Sequence, residues 1–251
     1  MKYIYGLTSL LFILGASGCS SESTTSDIVA TEKIWAEIRL TADGNRARVV
    51  TEFNKNSSIG ANIILSPSDK VQATVGNEVK VLEMDEDILD IDYQGYFSQP
   101  AKNTEFKLEL IRSKENKTLT STVVLPEEVL LYSPVASTYR KDSRIVVEWK
   151  PVNEPNTSLT LSFNASCTTN TGDPSSINHY VELDDNDGSY TILLGSIEGL
   201  HKDNLNKKKP CKSHVTLSRL KEGTVDSQFK SGSSIHAIQE KGSEELTILL
   251  N

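Results

Sequence analysis

The chain has 251 residues, a net charge of −8 and only three cysteines. That length suffices for one large or two small domains, each able to bury a core. The acidic balance argues against a nucleic-acid partner, because phosphate binding draws on Lys/Arg patches. The one basic run, Lys207-Lys208-Lys209, reads as a solvated loop. The chain opens with Met1 and Lys2, a short positive start. An apolar run from Tyr3 to Leu14 and a stretch of small residues follow, the parts of a secretory signal peptide. That run is too short to span a bilayer, which takes about 20 apolar residues.

The small residues end in Ala16-Ser17-Gly18-Cys19. This stretch resembles the lipobox of bacterial lipoproteins, although Ala16 stands where Leu is usual. The resemblance implies removal of residues 1–18, lipid attachment at Cys19 and a membrane held through acyl chains rather than through a spanning helix. Ser20, and not Asp, follows the cysteine. That resembles the sorting pattern of outer-membrane lipoproteins, and the resemblance implies a place in the cell envelope, at the outer rather than the inner membrane. With Cys19 acylated, Cys167 and Cys211 remain as an even pair in an exported chain, and a structural disulfide is expected between them. Residues 19–30, rich in Ser and Thr, read as a lipidated flexible tether.

From there on the signal is period two. Ile34–Leu40 and Arg46–Phe53 alternate around Asp43-Gly44, with Ala47, Val49, Thr51 and Phe53 on one face. Val71–Val75 and Glu78–Val81 flank Gly76-Asn77 as a hairpin. Leu89–Phe97, Glu105–Arg112 and Leu119–Leu125 complete the first half. After Pro126, the segments Val129–Tyr132, Arg144–Trp149, Ser158–Cys167, Ile177–Leu183, Ser189–Leu194, Cys211–Leu220, Ser234–Gln239 and Glu245–Leu250 read as strands. No segment carries a sustained helical stripe. The expected fold is all-β: two tandem antiparallel β-sandwich domains, residues 31–125 and 126–251. Within the second half, Tyr132-Ser133-Pro134 and Arg144-Ile145-Val146-Val147-Glu148-Trp149 resemble the early strands of fibronectin type III and related immunoglobulin-like modules. The resemblance implies that Trp149 points inward with Ile145 and Val147.

Few residues suggest chemistry. The run Glu83-Met84-Asp85-Glu86-Asp87, with Asp90 and Asp92 beyond it, is the best ion-site candidate, Asp85, Glu86 and Asp87 being its core. Calcium takes several oxygens converging from loops, whereas a solvated turn is the plainer reading, so no metal is assigned. Asp184-Asp185-Asn186-Asp187-Gly188 fails as an EF-hand, since aligning Gly188 with the loop's glycine puts Leu183 and Leu194 at ligand positions; a hairpin turn is expected instead. His179, His201, His214 and His236 show no metal-ligand spacing, and no nucleophile-elbow, P-loop or dinucleotide motif occurs. No cofactor is implied. The expectation is a non-enzymatic, lipid-anchored envelope protein that presents its sandwiches to a protein or glycan partner. The alternative is a carbohydrate-active or other hydrolase working through carboxylates on a sandwich face.

Overall fold

The computed structural model describes residues 22–86, 90–98, 100 and 102–251. The expected signal peptide (residues 1–18), Cys19 and Asp87 lie outside the described residues. The first half carries β1 (Ser23–Thr25), β2 (Ile34–Ala42), β3 (Arg46–Lys55), β4 (Asn62–Ile64), β5 (Asp69–Val75), β6 (Glu78–Val81), β7 (Glu83–Glu86), β8 (Ile91–Ser98), β9 (Glu105–Arg112) and β10 (Lys117–Val124). The second carries β11 (Leu131–Ser133), β12 (Thr138–Arg140), β13 (Arg144–Trp149), β14 (Thr157–Thr168), β15 (Pro174–Leu183), β16 (Ser189–Leu193), β17 (Cys211–Glu222), β18 (Ser234–Gly242) and β19 (Leu246–Leu249). The fold is all-β, and among the described residues no helix is long and apolar enough to cross a membrane.

Alternating side chains build two cores. In the first, Ile38 and Leu40 of β2 and Val49 and Phe53 of β3 meet Val71 and Ala73 of β5, Leu108 and Leu110 of β9 and Leu119 of β10. The sheet β10-β9-β5-β6 thus covers one face of a larger sheet, as in a sandwich. In the second, Ile145, Val147 and Trp149 of β13 pack with Ile192 of β16 against Leu161 and Phe163 of β14 and Val215 and Leu217 of β17. Here β11-β13-β16 is the covering sheet. Trp149 points inward as expected, with its indole N–H donating to Asp185 Oδ1 at 3.0 Å.

The two sandwiches share their larger sheet. Neighbours run β1-β4-β3-β2-β18-β17-β14-β15, with β8 and β7 continuing beyond β3 and with β19 and β12 beyond β17. Pairing is antiparallel except for β1 with β4, β12 with β19 and β18 with β2. The parallel β18–β2 pair is the seam, because β18 is antiparallel to β17 on its other edge. A cut at 125/126 therefore separates most of the two cores but not the sheet. Phe229, Ile235 and Ala237, from the second half of the chain, lie in the first core.

The disulfide joins Cys167 to Cys211, whose Cα atoms are 4.3 Å apart. Register explains it: Ala165 lies opposite Ser213 and Ser166 opposite Lys212, so the next pair on the same antiparallel ladder is Cys167 and Cys211. The bond staples adjacent strands of one sheet, where immunoglobulin domains bridge two.

Two expectations are corrected. The tether does not extend to residue 30: Ser23–Thr25 pairs with Asn62–Ile64, Ser26 is 0% exposed and Val29 belongs to the first core. Its polar residues are held by a buried arginine. The Arg112 guanidinium donates to the carbonyls of Ser26 and Val29 and to the Thr31 hydroxyl, while Ser26 donates to Asp69. The Ser/Thr richness that reads as disorder supplies hydroxyls and carbonyls to this network. The segment Asp184–Gly188 is not a hairpin turn either. β15 pairs with β14 and β16 with β13, so the segment crosses between the two sheets. Arg219 and Trp149 draw Asp185 inward and set that course.

Candidate functional site

On β3 the odd residues from Ala47 to Phe53 fill the core, which sends Arg46, Arg48, Val50, Glu52 and Asn54 to the other side. Residues opposite one another on β7, β8, β3, β2 and β18 then form rows across the sheet, with strands about 4.8 Å apart and successive rows on one face about 6.8 Å apart. The first row reads Asp85, Asp92, Glu52, Glu37, Ser234. The second reads Glu83, Gln94, Val50, Arg39, His236, and the third Tyr96, Arg48, Thr41, Ile238. Arg46 follows, opposite Ser98. One face thus carries four carboxylates in line and, two rows along, an arginine–tyrosine cluster.

The acidic row is held under tension. Burial pushes the Glu52 carboxyl above its ordinary value; Asp90 and Glu37 push the same way, and a hydrogen bond from the Asn54 amide opposes them. Burial raises Asp92 too, and Asp85 across the ladder adds to it. Oδ1 of Asp92 and Oδ1 of Asn54 are buried without a hydrogen-bond partner. Like charges directly opposite on a sheet are destabilising, and buried polar atoms normally find partners. Some relief comes from Arg39, whose Nε is 3.8 Å from Glu37 Oε1. Burial lowers His236 beside this pair, so it adds little positive charge.

The other end of the face is better satisfied. Arg48 donates to Gln94 at 2.9 Å, and Gln94 donates onward to Asp85. The Arg46 guanidinium sits 4.5 Å from the Tyr96 ring centroid, a cation–π stack. An open groove of about 440 Å³ runs past Arg39, Arg46, Arg48, Tyr96 and Asp92. A second open groove, of about 600 Å³, lies at the acidic end past Glu22, Glu52, Asn54 and Asp90. The arrangement suits an extended ligand that puts cationic groups on the carboxylate row and acidic or polar groups among the arginines.

Of the residues singled out by sequence, Asp85 joins the row, while Glu86 pairs with Ile91 and so faces away from it. Glu83–Glu86 of the acidic run is a strand and not a loop, so its carboxylates alternate sides and do not converge. Among the described residues no three His, Cys, Asp or Glu side chains gather as a metal site would need. Glu37, Glu52, Arg39, Arg46, Arg48 and Tyr96 were not singled out. The charged pattern opposite the β3 core residues was visible, but the register that lines it up was not.

Tension in the row is measurable. Glu52 and Asp92 bind their protons more tightly in the folded chain, so they favour folding most at low pH and oppose it once the pH has risen through their raised values. Glu52→Gln should therefore stabilise the protein at pH 7, by up to about 1 kcal/mol. The difference from the parent should shrink toward about pH 3, where the glutamate is protonated in both states. Melting temperatures at the two pH values check this; a variant less stable at pH 7 would contradict it.

No protein-family model matches the sequence, and comparison with curated proteins finds no match. Solved structures similar to it include the chicken CNTN1 FN1-FN3 domains, at 11% identity and a TM-score of 0.21, covering 85% of this chain and 65% of that one. Another is trypsin-activated alpha-2-macroglobulin from Escherichia coli, at 10% identity and a TM-score of 0.26, covering 86% of this chain and 16% of that one. The chain spans less than two thirds of either. At these TM-scores the likeness carries no argument, and the β-sandwich architecture rests on the strand pairing above.

Proposed function

We propose that this chain is a lipid-anchored envelope protein, held at the outer membrane through Cys19, whose sandwiches bind a protein or glycan partner without catalysing a reaction. The charged face of β7, β8, β3, β2 and β18 is the surface on which the partner sits. One observation carries the reading: four carboxylates lie directly opposed across adjacent strands, with Glu52 and Asp92 raised, an arrangement that cationic groups of a partner would relieve. The disulfide fits an oxidising compartment, and the lipobox-like stretch supplies the address.

Two experiments test the reading. Cys19→Ala should move the protein from the membrane fraction to the soluble one, and retention in the membrane would defeat the anchor. A photo-crosslinking residue at Thr41, in the middle of the face, should trap a discrete partner in cells; a residue at Thr171 in the second sandwich should not. Identical patterns from both positions would remove the face from the reading. A second reading has one observation in its favour: a raised carboxyl such as Glu52, beside Asp90 in an open groove, is what a general acid needs. If the protein is a hydrolase, Glu52→Gln abolishes bond cleavage. If it is a binder, the variant changes affinity alone.

A further inference from the structure

Glu22, the first described residue, lies three residues beyond Cys19. Three residues reach at most about 11 Å even when fully extended. From Glu22 the chain enters β1 directly, and the Asn62 amide donates to the Glu22 carbonyl at 2.9 Å. Asn62 begins β4, so the chain joins the body where the loop 56–61 ends. A lipid on Cys19 would therefore hold this loop, and no other part of the body so firmly, against the bilayer.

The loop is built as a stiff projection. The Lys55 amide donates to the Ala61 carbonyl at 2.9 Å and closes its base, while the Gly60 amide donates to Ser57 at 3.0 Å. A Cβ on Gly60 would lie 1.8 Å from the Lys55 carbonyl oxygen, so the turn admits only glycine there. Inside, the Asn54 amide donates to the Ser58 carbonyl at 3.1 Å. At the apex stands Ile59, 94% exposed. Two exposed lysines flank the base: Lys55, and Lys33, whose carbonyl accepts from the Asn56 amide at 2.7 Å.

We infer that this loop is a membrane contact, with Ile59 seated at the headgroup–acyl boundary and Lys33 and Lys55 at the level of the lipid phosphates. The inference rests on lipidation of Cys19. An apolar tip with basic flanks is the chemistry of an interfacial anchor. The placement also orients the candidate site. β3 runs from Arg46 to Lys55 and into the loop, so the acidic row lies near the bilayer and the arginine end about 20 Å farther along the strand. A partner would then meet the carboxylates from the membrane side.

The test uses the full lipidated chain in phosphatidylethanolamine/phosphatidylglycerol vesicles. An environment-sensitive fluorophore is attached at Ser58→Cys, which leaves Ile59 in place, or at Thr171→Cys in the second sandwich. Cys167 and Cys211 are bonded to each other and Cys19 is acylated, so the label has one site. Lipids carrying a quencher just below the headgroup should remove about half or more of the emission at position 58 and leave position 171 unaffected, given burial of interfacial groups about 5–10 Å deep. Adding Ile59→Asp should return the position-58 signal to the level at 171 without releasing the protein from the vesicles. Equal quenching at both positions in protein that floats with vesicles would overturn the membrane contact and leave the anchor standing. Protein that does not float would overturn both.

Discussion

A chain ended at Leu125, where the strand pattern invites a cut, should fail to fold as the first sandwich. That core needs Phe229, Ile235 and Ala237, and Phe229 stacks on Phe53 with ring centroids 6.2 Å apart. The cut also strips β2 of its β18 neighbour and removes a set of specific bonds. The Trp35 indole N–H donates to the Gly232 carbonyl at 2.8 Å, and Thr122 and Thr224 exchange backbone hydrogen bonds at 2.8 and 2.9 Å. In the whole chain, Phe229→Ala should cost about 3–5 kcal/mol, as large aromatic truncations in cores do. Set against a total of about 5–15 kcal/mol, that loss should be felt by both halves at once. The two tryptophans allow the check, Trp35 lying in the first sandwich and Trp149 in the second. Single-tryptophan variants should melt at coincident temperatures, before and after Phe229→Ala. A Trp149 transition unmoved by the mutation would show that the sandwiches unfold separately.

This coupling was not legible in the sequence, and the reason is physical. Period-two alternation marks a strand and its buried face. Hence Ile145, Val147 and Trp149, or the β3 core residues, could be assigned with no structure. It does not name the neighbour. Ser234–Gln239 reads as one more strand of the second half, and only its register against Glu37–Ala42 shows that it closes the first. The same gap hid the candidate site. Glu37, Glu52, Asp92 and Asp85 come from four segments, and each alone looks like an ordinary solvent-facing residue. Short pieces escaped for another reason. Ser23–Thr25 and Asn62–Ile64 are too brief to alternate, and they are strands because each finds the other. The cysteine pair was the easier case, since setting Cys19 aside as the expected lipid site leaves two cysteines and one pairing.

Each sandwich also hides an arginine that pins a segment outside the sheets, as Arg112 holds residues 26–31 to the first. Arg219, which is 0% exposed, does this in the second. Its Nε and Nη2 form a two-pronged pair with Asp185 at 2.7 and 2.9 Å, and Nη1 donates to the carbonyls of Glu127 and Glu128 at 2.8 and 3.0 Å. One side chain thereby fixes both the link between the sandwiches and the crossing from β15 to β16. Arg219→Ala should cost about 3–5 kcal/mol, because it leaves the Asp185 carboxylate without its cation in a mostly buried site. Asp185→Asn keeps one acceptor for the guanidinium and for the Trp149 indole but removes the charge, so its loss should be smaller. Arg219→Met with Asp185→Leu should recover part of the single-variant loss, since removing both charges avoids burying either one unpaired. It still gives up the two linker carbonyls that Nη1 holds. Chemical denaturation of the four proteins measures this directly. A double variant no more stable than Arg219→Ala would mean that the pin to residues 127 and 128, and not the ion pair, accounts for the arginine.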